Sequence, residues 1–416
     1  MKRQNLRFGR FDYAAFAAFT VYSLCSLAVP LMIVDMGRSL NFPLDGGGMS
    51  AGGFLQTVRS AFMIVTLLSC GLLASRIGKR LSIGISLFFC GAGMLCCAFS
   101  GSFAMLIPGL ILAGLGEGVC EGLLTPFIQD LHPASPERYV NIGHAFWSVG
   151  ILCAVLGVGG LLGLGLDWRP VLAASGLAAA AAGGLFMRKG REETRRSAGS
   201  SDIPYQLKQT RAILREPRFW LFSAGMFFGA GAEFGLTFWS AAFMALTFGT
   251  GAFASGLGTG AIAAGMFCGR TVFGYLAKPG NLTKILLGAS AGTIPLTLAL
   301  ACLKPGALPA AVLFPLLFLL LFLCGIGIAP YWPTLQVFGA KELKHCDSTL
   351  LYIYFSATGI PGCGFFSWLM GKAGDSFGPT GTLLVVPACL VVFFLIVLCA
   401  EKTSDGASAA YRATPR

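Results

Sequence analysis

Charge is what this 416-residue chain has least of. Lys, Arg, Asp and Glu together make up 12% of it, about half the share of a soluble globular domain, which argues against an ordinary water-soluble enzyme. Acidic residues are scarcest, 18 against 30 basic ones, and there are three histidines, His132, His144 and His345. No Ser/His/Asp or metal-ligand constellation is present, and the glycine-rich stretch Gly256 to Gly265 lacks the strand context that a phosphate-binding loop requires. The 14 cysteines include no CxxC and no Cys/His cluster of zinc spacing. All fall in or beside apolar runs and read as small buried hydrophobes. A net charge of +12 in a soluble protein would suggest a nucleic-acid partner, but the basic residues lie in short stretches between apolar runs, so no nucleic-acid partner is expected.

Apolar sequence fills the space. Hydrophobic residues reach 55%, mean hydropathy is +0.75 and 57 residues are glycine, about twice the usual 7% share and suited to close transmembrane helix packing. A membrane-crossing helix needs about 20 mainly apolar residues. Twelve segments qualify: 11–36, 52–74, 81–100, 102–129, 141–166, 169–188, 218–247, 251–276, 283–303, 308–335, 347–371 and 379–400. The opening Met1-Lys2-Arg3 is like a signal-peptide start, yet the apolar run after it is too long for a signal core of about 7–15 residues. The fold class is therefore an all-α membrane protein of twelve transmembrane helices, with the lipid bilayer as its surroundings.

Orientation follows from Lys and Arg. With the N-terminus inside, 24 basic residues fall in cytoplasmic stretches, 4 in external turns (Arg38, Arg169, Lys304, Lys372) and 2 in spans (Arg59, Arg270). Both termini are expected to be cytoplasmic. The longest hydrophilic stretch, Arg188 to Arg218, divides the chain six plus six. It predicts an N-terminal bundle over 1–188, a cytoplasmic linker over 189–217, a C-terminal bundle over 218–400 and a cytoplasmic tail over 401–416. Internal similarity agrees: Gly71-Leu72-Leu73-Ala74 recurs as Gly274-Tyr275-Leu276-Ala277, and Pro126-Phe127-Ile128-Gln129 as Pro333-Thr334-Leu335-Gln336, in matching spans of the two halves. The halves read as pseudo-symmetric parallel repeats.

The stretch GLLASRIGKR, Gly71 to Arg80, resembles the cytoplasmic loop motif of the major facilitator superfamily, with Gly71, Arg76, Gly78, Lys79 and Arg80 in place and Ser75 where the motif has an Asp. Within that superfamily the chain is similar to the fucose-proton symporter and its glucose/galactose relatives. The carriers of that likeness are AGLGEGVCEGLLTPF (113–127), VNIGHAFWSVG (140–150), GAEFGLTFW (231–239), the Gly269-Arg270 pair and Trp332-Pro333-Thr334. Two positions depart from it. Ser26, four residues before Pro30, stands where relatives have an Asp, and Trp147 stands where they contribute an Asn to the sugar site.

A charge at mid-bilayer costs about 2.5 to 3.5 kcal/mol on insertion scales, so each one calls for a reason. Glu117 and Glu121 are four apart and share one helical face. If both face a cavity, repulsion opposes their ionising together, so one would hold a proton, and they are the candidate proton-coupling pair; alternatively Glu117 makes a polar contact to a neighbouring helix and Glu121 works alone. Arg59 reads either as a counter-ion for Glu117 or as a substrate ligand. Glu233 reads as a site residue or as one end of an inter-helix hydrogen bond, Arg270 as a gate or helix-end anchor, and His144 as site-lining or packed. Trp147, Trp239, Tyr331 and Trp332 lie at mid-depth or matched positions, where a ring face suits stacking on a sugar, although aromatics at helical spacing also simply pack. Trp168 and Trp220, at span ends, read as interfacial belt.

The resemblance implies a secondary transporter of alternating access, with proton-coupled uptake of a sugar or similar polyhydroxylated solute. It implies no enzymatic activity, no cofactor beyond a proton gradient, and a place in the plasma membrane, or the inner membrane if the source has two. The same fold also admits a proton-coupled exporter of amphipathic compounds. A non-transporting membrane sensor is disfavoured by the short tails.

Overall fold

The computed structural model describes residues 7–132, 136–188, 203–277 and 280–413. Ser200 and most of the hydrophilic run before it, Lys278 and the extreme termini lie outside the described residues. Fifteen α-helices occupy the described residues, without a strand. The first seven are α1 (Arg10–Ser39), α2 (Met49–Ile77), α3 (Lys79–Ala98), α4 (Phe103–Leu131), α5 (Pro136–Cys153), α6 (Gly159–Gly163) and α7 (Trp168–Met187). The rest are α8 (Ile203–Arg215), α9 (Pro217–Phe248), α10 (Ala252–Leu276), α11 (Leu282–Cys302), α12 (Ala310–Ile328), α13 (Tyr331–Glu342), α14 (Ser348–Phe377) and α15 (Pro379–Ala413). Among them are twelve spans long and apolar enough to cross a membrane, and each overlaps one of the twelve predicted from sequence. Helices are the expected solution, because a spanning chain must satisfy its backbone polar groups internally.

Three local features were not legible as spans. The fifth is interrupted by a π-turn over Ala154–Val158, between α5 and the short α6. The tenth breaks between α12 and α13 at Ala329-Pro330, where proline supplies no N–H to continue the ladder. The central hydrophilic stretch ends in a helix of its own, α8.

By packing, the chain divides into two compact units, Met1–Met32 with Phe62–Ser201, and Ile33–Ala61 with Asp202–Arg416. Division by packing and division at the hydrophilic stretch therefore differ for residues 33–61. Small residues explain that placement. A Cβ on Gly53 of α2 would strike the backbone of Ser367 and Trp368 of α14, and one on Gly371 would strike the backbone of Met49. The Thr57 hydroxyl also donates to the Gly364 carbonyl at 2.8 Å.

In the first unit α3 lies between α4 and α7, with Gly93 against the backbone of Gly109 and Ala113, and Gly91 against Gly176. An apolar core runs through Phe11, Tyr22, Leu123, Phe127 and Phe186. In the second unit α9 packs on α14 and α15, and α10 packs on α12.

Candidate functional site

In the first unit, α1, α4 and α5 bring together residues distant in sequence. Glu121 and Thr125 stand one turn apart on α4, and His144 and Trp147 stand one turn apart on α5, so each pair faces one way. The Tyr22 hydroxyl of α1 donates to Glu121 Oε2 at 3.3 Å. The Tyr22 ring meets Trp147 edge to face, with centroids 4.6 Å apart at 71°. One turn along, Thr125 Oγ1 and His144 Nε2 share a hydrogen bond of 2.9 Å, and the imidazole lies 4.9 Å from the Phe19 ring. A carboxylate, a phenol and an indole thus form one contact chain, and a hydroxyl and an imidazole form a second contact on the adjacent turns of the same two helices. Glu121, Thr125 and Trp147 are partly exposed, whereas Glu117, one turn back on the Glu121 face, is 2% exposed.

Tyr22 and Thr125 are absent from the sequence-based candidates. Both sit inside apolar runs without the charge that singled out the others. Ser26 is buried one turn from Tyr22.

In the second unit, Arg270 of α10 donates from Nη2 to Glu233 Oε1 of α9 at 2.8 Å. The other carboxylate oxygen, Glu233 Oε2, and Arg270 Nε are buried and have no hydrogen-bond partner among the described residues. The pairing is the inter-helix alternative for Glu233, and it gives Arg270 a partner that the helix-end reading lacks. Arg59, on the part of α2 that packs in this unit, is 1% exposed.

Of the aromatic candidates of the second unit, Trp239 and Tyr331 are enclosed and Trp332 is partly buried. Trp239 is 0% exposed and its indole N–H donates to the Ser367 carbonyl at 2.9 Å. Phe238 packs edge-on against its ring, and a Cβ on Gly52 would be in van der Waals contact with its far edge. Protein covers this ring and takes its donor, which is the packing alternative of the two that the sequence leaves open for Trp239. Tyr331 is likewise buried against Phe393, and Trp332 lies over Gly359 of α14, where any Cβ would meet its six-membered ring.

The loop motif is a junction of helix ends. Gly78 adopts φ +85°, a conformation natural to glycine, and so turns the chain from α2 into α3. Lys79 pairs with Asp130 at 2.7 Å. Arg80 is buried and donates to the Phe186 and Arg188 carbonyls, and Arg10 Nη2 donates to the same Arg188 carbonyl at 2.8 Å. Cations on the orphan carbonyls at the end of α7 match the helix dipole. Ser75, in place of the acid, donates to the Leu72 carbonyl within its own helix at 2.8 Å. Gly71 and Arg76 are exposed. Nearby, His132 Nε2 and Asp12 Oδ1 stand 2.6 Å apart, with the Tyr139 ring stacked on the imidazole.

Residues 14–345 match the profile of the Major Facilitator Superfamily. The chain belongs to that superfamily. It is a multi-pass membrane transporter, and among solved members its fold is similar to a D-xylose-proton symporter (TM-score 0.74, 14% identity, 93% of this chain and 96% of that one). It is also similar to the fucose:proton symporter of E. coli (TM-score 0.61, 16% identity, 93% and 97%). A 107-residue segment is 36% identical to H(+)/hexose cotransporter 1 of Parachlorella kessleri, covering 24% of this chain and 20% of that protein. A 162-residue segment is 28% identical to putative sugar transporter ERD6-like 13 of Arabidopsis thaliana, covering 39% and 29%. The matched segments thus span under a third of either sugar-transporter relative.

Proposed function

We propose that this superfamily member carries out proton-coupled uptake of a sugar or similar polyhydroxylated solute, with Glu121 as the proton carrier. The observation that carries the reading is the Glu121–Tyr22–Trp147 contact chain. A membrane-embedded carboxylate that is partly exposed can exchange a proton with a water-filled path, which a fully enclosed one does less readily; this favours Glu121 over Glu117. Tyr22 holds the carboxylate beside an aromatic pair, so proton and solute would meet in one place. An indole offers a flat apolar face and one donor, the combination that suits the C–H face of a sugar ring with a hydroxyl beside it. His144 and Thr125 supply further polar groups one turn away. In the second unit Glu233 and Arg270 are read as an inter-helix ion pair, open on the arginine side and so within reach of solute or proton, and the loop residues from Gly71 to Arg80 as the tie between helix ends.

The relatives named above are themselves proton-linked or sugar transporters by name, which supports the class of solute. The arrangement of basic residues supports a plasma-membrane orientation with both termini cytoplasmic. The deciding experiment is transport in proteoliposomes with an imposed pH gradient. Glu121→Gln is expected to abolish proton-driven accumulation of the solute and to leave solute exchange measurable, because exchange moves no net proton. Wild-type accumulation by Glu121→Gln would remove Glu121 from the coupling role. A panel of sugars screened by thermal stabilisation identifies the solute, since a ligand that binds the folded state raises its unfolding temperature.

A further inference from the structure

The α8 helix carries charges that nothing in the described protein neutralises. Its buried side is small: Ile213 is fully enclosed, and Thr210 Oγ1 hydrogen-bonds the Tyr354 hydroxyl of α14 at 2.5 Å. The opposite side presents Lys208, Arg211 and Arg215, all exposed and spaced three and four apart, so they form one stripe. Two charged residues that follow α8 do have partners. Arg218 pairs with Glu342 at 3.2 Å, and Glu216 with His345 at 2.8 Å. None of the three α8 cations has a carboxylate partner among the described residues.

Beside the basic stripe lies an apolar one. Leu207 and Leu214, seven apart, are 65% and 43% exposed, and Trp220 at the start of α9 is 54% exposed. The Trp220 indole N–H donates to the Leu214 carbonyl at 2.9 Å, which ties the end of α8 to the first turn of a membrane span. The apolar stripe therefore meets the chain where a span long enough to cross a membrane begins. A cationic face next to exposed leucines and a tryptophan is the composition of a helix that lies in the membrane interface.

We propose that α8 binds anionic phospholipid headgroups, with Lys208, Arg211 and Arg215 on the phosphates and Leu207, Leu214 and Trp220 in the acyl boundary below them. Either property alone has other matches. An acidic peptide would satisfy the cations and leave the leucines in water, and a soluble phosphate would do the same. The surface of an anionic bilayer satisfies both stripes together, and Lys and Arg near such a surface each contribute to attraction that is strongest within a Debye length. The inference rests on membrane embedding alone and is independent of the transported solute.

Trp220 reports on the site directly. Full-length protein is reconstituted into phosphatidylcholine vesicles containing phosphatidylglycerol, with bromine on the acyl chains of one lipid or the other at equal mole fraction. The Trp220 share of fluorescence is the difference between wild type and Trp220→Phe. Brominated phosphatidylglycerol is expected to quench that share several-fold more than brominated phosphatidylcholine, for a local enrichment on the order of tenfold. The preference should shrink at high salt. It should fall partly in Arg211→Gln and vanish in Lys208→Gln/Arg211→Gln/Arg215→Gln, whose exposed positions leave the unfolding temperature unchanged. Equal quenching by the two lipids in wild type, or a preference that survives the triple substitution, overturns the proposal. So does loss of the preference to inorganic phosphate at constant ionic strength, which would assign the cations to a soluble anion.

Discussion

Arg270 and Glu233 form an ion pair between α10 and α9 at 2.8 Å, with Glu233 the more enclosed partner: its side chain is 13% exposed, that of Arg270 37%. Removing one member of a buried pair strands the other charge, and the cost depends on whether that charge can escape. Arginine has a long stem and a partly open position, so it can reach towards polar surroundings. Glutamate has neither.

Arg270→Met should therefore destabilise the protein more than Glu233→Gln, by roughly 3 kcal/mol against about 1. The double substitution should recover part of the loss. Unfolding of the four proteins in detergent measures this cycle, and equal losses from the two single substitutions would refute the asymmetry.

Trp147 and Trp239 should separate cleanly. Trp147→Ala is expected to weaken solute binding by on the order of 1 kcal/mol or more, with Trp147→Phe milder because a ring face remains. Trp239→Ala should instead cost about 3–5 kcal/mol of stability, the usual penalty for emptying an enclosed aromatic site, and leave affinity in the folded fraction unchanged. Titration and unfolding temperature, read on the same preparations, test both. A binding defect confined to Trp239→Ala would reverse the assignment.

Asp375 of α14 accepts from the backbone N–H groups of Met49 and Ser50, at 2.8 and 2.9 Å, one on each carboxylate oxygen. It is thus a cap for α2 supplied by another helix. Asp375→Asn keeps one acceptor and loses the charge that favours a helix N-terminus, so a loss of about 1 kcal/mol is expected. Chemical denaturation of the purified variant measures it, and stability equal to wild type would show that the cap contributes nothing.

Ser200 and the two termini are expected on the cytoplasmic side. Cysteine placed at position 200 on a cysteine-depleted background should resist a membrane-impermeant reagent added to intact cells and react after permeabilisation. Labelling in intact cells would invert the topology.

Much of the architecture is legible in the chain because the bilayer imposes a simple demand. About 20 apolar residues per crossing and basic residues on one side are one-dimensional signals, so the twelve spans can be drawn without coordinates, with ends that shift by up to several residues once the helices are seen. The loop motif and the likeness to sugar symporters are legible for the same reason, being contiguous runs. Intramembrane charge also marked Glu121, Glu233 and Arg270, since ionisable groups in apolar runs stand out.

Tertiary packing alone decided what those residues touch. Tyr22 and Glu121 are 99 positions apart, and Tyr22 carries no charge, so nothing in its run distinguishes it from a core aromatic. Trp147 and Trp239 look alike in sequence, yet one is partly open beside Tyr22 and the other is enclosed with its donor taken. Residues 33–61 pack with the later part of the chain because glycines on α2 and α14 admit close approach, and Asp375 reaches back 326 positions to cap α2. Hydropathy is a property of each segment and survives in the linear order. Contact between helices depends on which faces meet, and that is settled only when all the helices pack against one another.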